Sequence, residues 1–281
     1  MLRKLIARAR GRRIADPPIR LRDVQYCGCA PGHVGTDADL ADVLAEYDRA
    51  GEWIAEPKVD GVWVQIDGHG ARSRTGRPVD VPALPFCPCT VVGEYVARSG
   101  TVYLFDILTH GPLDCRPAPR AMRSATLALL FTTGAFPDTY RPLRQYGDDF
   151  AGRFPGMAEG YVLKRRDDGA YRTGRNPGWI KVKRARTYDV VVTGYVSGPS
   201  GRAGAFTIAQ YGRGVDGWPG VLQHCGRVAV SGHVAQELTP DAWAGTVVEI
   251  SAFAQYPTGA FRSPVLIRRR TDKAPAECVR Q

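Results

Sequence analysis

The chain has 281 residues, 44% hydrophobic and 23% charged, which is enough apolar material for a buried core and excludes a wholly disordered or fibrous protein. Lys and Arg total 38 against 28 Asp and Glu, and the net charge of +10 points to a polyanionic partner, nucleic acid foremost. No run of 18 apolar residues occurs, so no membrane span is expected; seven Cys without a secretory-type apolar segment fit a reducing, cytoplasmic setting better than a disulfide scaffold.

In chain order, residues 1–22 carry Arg3, Lys4, Arg8, Arg10, Arg12, Arg13, Arg20 and Arg22 against Asp16 alone, and 1–35 reads as a basic arm, either solvated or phosphate-binding. Thr36-Asp37-Ala38-Asp39 has the form of a capping box, and Leu40, Val43, Leu44 and Tyr47 then recur at helical spacing until Gly51. Short strands are expected at 52–56, 61–66, 91–97, 101–108, 159–164 and 178–183. A helix is expected near 119–131 with Leu127 and Leu130 inward, and 134–156 reads as a surface loop rich in Pro, Gly and Arg. After Arg186 five strands follow, at 188–195, 204–210, 226–230, 246–253 and 265–270, as in a small barrel. The pattern predicts an α+β fold with a mixed domain over 36–186 and an all-β domain over 187–281.

The basic residues divide unevenly. Only six are Lys (4, 58, 164, 181, 183 and 273) and 32 are Arg. Arg cannot lose its proton and act as an amine nucleophile, whereas Lys can, so chemistry is sought first at the lysines. Glu56-Pro57-Lys58-Val59-Asp60-Gly61 puts an amine at a tight turn between two strands, with Gly61 permitting close backbone approach. Glu159-Gly160-Tyr161-Val162-Leu163-Lys164 is a strand with a carboxylate at one end and an amine at the other. Lys181 and Lys183 lie two apart on a third strand and share a face; such a pair is either solvated or meets an anion.

Taken together, these segments resemble the ATP-dependent DNA ligases of the covalent nucleotidyltransferase superfamily. Lys58-Val59-Asp60-Gly61 is similar to the family's K-x-D-G element, Ser73-Arg74-Thr75-Gly76 to its S-R-x-G turn, and Gly93-Glu94 to its G-E element. Phe105-Asp106 resembles the aromatic F-D element, Glu159–Lys164 the E-G-x-x-x-K element, and Lys181-Val182-Lys183 the K-x-K element. Arg262-Ser263-Pro264 and Arg268-Arg269-Arg270-Thr271-Asp272-Lys273 resemble the C-terminal run. The seven elements keep the family's order over about 52–275, and five of the six lysines fall inside them.

The resemblance implies a nucleotidyltransferase (adenylation) domain with antiparallel sheets, followed by an OB-fold barrel that closes over the nucleotide. It implies nick sealing in duplex DNA through a lysyl-AMP on Lys58, with ATP as AMP donor and Mg²⁺ as metal, in a monomer with no membrane partner. Lys58, Asp60, Lys181 and Lys183 would be catalytic. Lys181 and Lys183, with the metal, would favour the neutral amine and offset phosphate charge. Glu159 and Glu94 would hold the metal, with Glu94 a ribose ligand in the alternative. The remaining nucleotide contacts would come from the backbone at Glu56 and from Arg74, Tyr103 or Phe105 (stacking on adenine) and Lys164. Arg268, Arg270, Asp272 and Lys273 would orient pyrophosphate. NAD is not expected as donor, since its dedicated modules do not fit in this length.

Two places depart from the family's pattern. Trp63 stands five residues after Lys58, where the family carries Arg, and the Glu94-to-Phe105 spacing is short. Arg72 or Arg74 would have to supply the missing contact. Cys27-Gly28-Cys29 and Cys87-Pro88-Cys89 are tighter than usual zinc knuckles and read as reduced thiols. Three other functions share parts of the pattern: an RNA ligase, an mRNA-capping guanylyltransferase that would take GTP, and a catalytically silent nucleic-acid-binding protein.

Overall fold

The computed structural model describes residues 24–81, 84, 88–153, 159–197, 203–214, 219–230 and 240–280; the arm over 1–22 and Cys87 lie outside them. The chain divides into two compact units. One is Leu40–Lys183 with the segment before Val34, and the other is Arg184–Gln281 with Val34–Asp39.

Up to residue 184 the elements are β1 (Cys27–Gly35), α1 (Asp37–Arg49), β2 (Trp53–Pro57), β3 (Val62–Asp67), β4 (Gly70–Ser73), β5 (Pro78–Val79), β6 (Cys89–Val96) and β7 (Thr101–His110). These are followed by β8 (Leu113–Asp114), α2 (Arg120–Thr132), β9 (Tyr140–Pro142), α3 (Phe150–Arg153), β10 (Gly160–Arg165) and β11 (Gly174–Arg184). They form a four-stranded sheet in the order β1-β11-β10-β2 and a seven-stranded one in the order β5-β4-β3-β6-β7-β8, with β9 beside β7.

Strand alternation gives each sheet two apolar faces. Tyr161, Leu163, Val182, Trp53 and Ala55 turn one way, onto Leu40 and Leu44 of α1 and Phe150 of α3. Val162 and Trp179 turn the other way and meet Trp63, Val92 and Leu108 of the second sheet. The far face of that sheet, with Val64, Ile66, Val91, Val102, Leu104 and Ile107, packs on Leu127 and Leu130 of α2. The layers are therefore helix, sheet, sheet, helix, and the space between the sheets takes side chains from both.

Helix α1 opens with the reciprocal cap that the sequence predicts. The Asp39 amide donates to Thr36 Oγ1 at 3.3 Å, while the Thr36 amide and hydroxyl donate to Asp39 Oδ2 at 2.8 and 2.7 Å. These bonds hold the Asp39 carboxyl below the usual carboxylate range.

The second unit contains β12 (Arg186–Ser197), β13 (Ala203–Tyr211), β14 (Leu222–Ala229), β15 (Val247–Ala252), β16 (Ala254–Gln255), β17 (Phe261–Arg262) and β18 (Val265–Arg270). Five of these strands close a barrel in the order β12-β13-β14-β18-β15 around Val190, Val192, Phe206, Ile208, Val228, Val248 and Ile250. No helix of the described residues is long and apolar enough to cross a membrane.

Two readings of the sequence are corrected. Residues 27–35, assigned to the arm, form β1 at the edge of the four-stranded sheet. Their Gly, Pro and Cys show no alternation, and the strand exists because β11 offers it an edge. The absence of a side chain at Gly32 permits this, since a Cβ there would lie 2.0 Å from the Lys181 carbonyl oxygen. The expected loop over 134–156 contains β9 and α3; buried Tyr140 and Phe150 anchor them, a tertiary cause that local composition does not reveal.

Candidate active site

Lys58 follows the last residue of β2. Its amide donates to the Gly160 carbonyl at 2.8 Å, which ties the residue to the start of β10. Gly160 is in the left-handed region at φ 119°, and a Cβ there would strike the Val182 carbonyl, so only glycine lets β10 begin this close to β11. Next to it, Glu159 Oε2 meets Lys58 Nζ at 2.5 Å; the two side chains are 10% and 21% exposed. The pair is thus reachable from solvent but largely screened from it.

Gly61 explains the turn that follows. A Cβ there would lie 2.4 Å from the Tyr95 carbonyl oxygen, so glycine lets the chain run against β6. From this position the Gly61 amide bonds the Glu94 carboxylate. Burial pushes the Glu94 carboxyl up to about 7; Lys58 and the Gly61 amide oppose the shift, and Glu159 and Asp60 reinforce it. Asp60 itself is exposed. Three acidic side chains therefore share one field around one amine.

Lys181 of β11 lies opposite Val162 of β10, on the inter-sheet face, and makes no ion pair among the described residues. Lys183 pairs in register with Gly160 and shares that face.

The side chains of Lys164 and Glu56 meet each other in the interior. They are 2% and 1% exposed and meet at 2.6 Å, and Gln145 donates to the other Glu56 oxygen at 2.9 Å. The ammonium lies 4.0 Å from the Trp179 ring centroid and 4.7 Å from that of Phe105. Side-chain atoms of this pair are spent on each other, while the Glu56 backbone remains at the strand edge.

A bulge in the β6–β7 pairing turns Phe105 toward the first sheet, edge-on to Trp179 at 6.2 Å, while Tyr103 sits half-buried opposite Glu94. The short Glu94-to-Phe105 spacing is thereby accounted for: a tight hairpin over 97–100 joins the strands directly. Arg74 is exposed at the turn after β4 and has no ion pair among the described residues.

In the barrel unit Arg270 and Lys273 both bind Asp189, at 3.0 and 2.6 Å, and Arg270 also clasps Asp272 through two 2.8 Å bonds. That clasp lowers the Asp272 carboxyl to about 2. Arg268 pairs with Glu249 across β18–β15 at 2.6 Å. The C-terminal cations are held by acids of their own unit.

Sequence reasoning missed the partner of Asp106. Arg123 holds its two oxygens at 2.8 and 3.0 Å, and both residues are 1% exposed. A signal existed: Arg123, Leu127 and Leu130 recur at helical spacing, which puts an arginine on the buried face of α2 opposite an acid in an apolar strand. Burial pushes the Cys27 thiol up to about 12 and raises Cys29 as well, which disfavours the thiolate that a metal would need. Cys89 is disulfide-bonded, which corrects the expectation of a reduced thiol there. Among the described residues no three His, Cys, Asp or Glu side chains converge as a cage for a metal ion.

No protein-family model matches the chain. A probable DNA ligase of Mycolicibacterium paratuberculosis is 30% identical over 233 residues, covering 73% of this chain and 42% of that protein. The multifunctional non-homologous end joining DNA repair protein LigD of Mycobacterium tuberculosis is 25% identical over 307 residues, covering 86% and 40%. The chain thus spans about two fifths of the length of these curated relatives. Among solved structures, the Lig E DNA ligase described as DNA binding with a minimal scaffold has a TM-score of 0.56 at 20% identity, covering 78% of this chain and 93% of that one. The structure titled Pmar-Lig_Pre has a TM-score of 0.61 at 20% identity, covering 86% and 67%.

The fold is therefore shared with these two solved structures. By sequence, the chain is thus related to DNA ligases over about two fifths of their length.

Proposed function

We propose that this protein seals 3′-hydroxyl/5′-phosphate nicks in duplex DNA, using ATP as AMP donor and Lys58 as the covalent carrier. The observation that carries the reading is Lys58 Nζ at 2.5 Å from Glu159, with Lys181 on the same inter-sheet face free of any ion pair among the described residues.

In the first step the neutral Lys58 amine attacks the α-phosphorus of ATP. An N–P bond forms as the P–O bond to pyrophosphate breaks, and Glu159 is the nearest acceptor for the amine's proton. In the second step an oxygen of the nick's 5′-phosphate attacks the AMP phosphorus, the N–P bond breaks, and the amine is restored. In the third step the 3′-hydroxyl attacks the 5′-phosphate, closing the strand and expelling AMP. Lys181 and Lys183 offset charge that builds on the phosphate oxygens.

Mg²⁺ fits the donor set. Glu159 and Glu94 are hard oxygen ligands in one field, and Mg²⁺ uses one or two carboxylates together with substrate phosphates rather than a full protein cage. When bound it would neutralise phosphate charge; Glu159 and Glu94 would hold it. Residues 36–186 are the nucleotidyltransferase domain in this reading, and 187–281 an OB-fold domain, supported by a barrel order of first, second, third, fifth and fourth strand. Arg268, Arg270, Asp272 and Lys273 orient pyrophosphate in this reading, once Arg270 and Lys273 leave Asp189 and Arg268 leaves Glu249. Tyr103 or Phe105 stacks on adenine and Arg74 contacts phosphate. The protein acts as a monomer in the cytoplasm, and the arm over 1–22 adds phosphate contacts.

The test is intact mass after incubation with ATP and Mg²⁺, on protein first freed of bound nucleotide, followed by peptide mapping. One AMP on Lys58, discharged by nicked DNA with closure of the strand, is expected. Discharge by RNA alone points to an RNA ligase, a GMP adduct from GTP points to capping, and no adduct leaves a binding protein.

A further inference from the structure

The barrel unit carries a hollow of about 700 Å³, within the size range of ligand sites, where the connection from β13 to β14, the turn between β16 and β17 and the segment at Arg280 meet. The Gly212 amide donates to the Val221 carbonyl at 2.9 Å and the Gly220 amide to the Gly212 carbonyl at 3.0 Å, so the two ends of the connection are tied together. The lining is of two kinds. Pro219, Val221 and Pro257 are apolar. Val221 is 79% exposed, more than any other large apolar side chain among the described residues, and Tyr256, next to Pro257, is 47% exposed. Apolar side chains left in water beside a concavity mark a surface that gains from being covered. Arg213 and Arg280 supply charge. Arg213 is exposed and makes no ion pair among the described residues. Arg280 donates from Nη2 to the Tyr256 carbonyl at 3.1 Å and to the Pro257 carbonyl. Those neutral acceptors fix the guanidinium without cancelling its charge. None of the described residues that line the hollow is acidic.

An occupant that complements both kinds of lining brings negative charge to two guanidiniums and apolar surface to the Pro and Val side chains. Carboxylates suit Arg, whose planar fork takes both oxygens at once. Duplex DNA has the charge but not the apolar part, because its phosphates stand outermost on a hydrated backbone. A peptide has both. We propose that this hollow is a docking site for an acidic peptide segment of a partner protein. One branched or aromatic side chain of that segment seats against Val221 and Pro257, and Asp or Glu carboxylates meet Arg213 and Arg280. The inference concerns the barrel unit alone and does not rest on the ligase reading.

The probe is a random peptide library displayed on phage and selected on the full chain. Enriched peptides are expected to carry at least two Asp or Glu flanking an apolar residue. A fluorescent copy of one such peptide is then titrated, by anisotropy, with the wild type, Arg213→Ala and Val221→Asp. Both positions are exposed, so the fold tolerates the changes, and thermal unfolding checks that it does. Each substitution is expected to weaken binding about tenfold, the worth of one hydrogen bond to a charged group. Replacing the peptide's carboxylates with amides should weaken it at least as much. A selection without an acidic consensus, or an affinity unchanged by either substitution, overturns the proposal. So does a loss of affinity for nicked duplex, and not for the peptide, in Arg213→Ala, a result that assigns the hollow to nucleic acid.

Discussion

Lys164 Nζ and Glu56 Oε2 lie 2.6 Å apart in the interior of the first unit, beneath Phe105 and Trp179, with neither side chain more than 2% exposed. The two strands that carry them, β10 and β2, are neighbours, and the pair bridges them at the floor of the inter-sheet space. An ion pair so placed contributes little net stability as a pair, because desolvation offsets its Coulomb attraction, yet removing one member strands the other.

Lys164→Met is therefore expected to cost about 3–5 kcal/mol of folding stability, since it leaves Glu56 buried with Gln145 alone. Adding Glu56→Gln to that variant should recover a large part of the loss. Urea unfolding followed by tryptophan fluorescence measures both. A double variant less stable than the single one would contradict the pairing.

Glu94 gives stability a distinct pH dependence. Its carboxyl holds a proton up to about pH 7 in the folded protein, against an ordinary value of 4.5. The folded state binds that proton more tightly, so stability from this group is present below pH 4.5 and is lost as pH rises through 7. Between pH 5 and 8 the wild type should lose up to ~3 kcal/mol relative to Glu94→Gln, which stays neutral. Unfolding curves at the two pH values, with divalent metal chelated, read the difference directly.

Lys58→Arg keeps a cation beside Glu159 and removes the nucleophile. Adduct formation should fall below detection while binding to nicked DNA persists within about threefold, a shift of roughly 0.6 kcal/mol or less. Mass spectrometry and a gel-shift assay separate the two readouts. A residual AMP adduct on the variant would move the nucleophile elsewhere.

Residues 1–22 carry eight cations, and if they contact phosphate their deletion should flatten the dependence of log K on log salt by several units. Titrations of nicked duplex at graded salt concentrations give the slope. An unchanged slope would make the arm a solvated tail.

Part of the candidate site stands out from residue chemistry alone. With Arg supplying nearly all positive charge, the rare lysines marked Lys58, Lys181 and Lys183, and alternation put the last two on one face. The capping box at Thr36 and the barrel strands after Arg186 were equally local signals, because a cap or an alternating strand is written within a few residues. What depended on distant partners was not legible. Strand β1 has no pattern of its own, the Lys164–Glu56 ion pair forms only because β10 and β2 lie side by side, and Arg123 reaches Asp106 only because α2 packs on β7. Sequence by itself determined which chemical groups this protein has and which local elements they ride on. The tertiary structure decided which of those charges are satisfied by each other and which, such as the Lys181 amine, make no ion pair among the described residues. The reason is physical: pairing energy depends on distance and burial, and neither exists until the two sheets face each other.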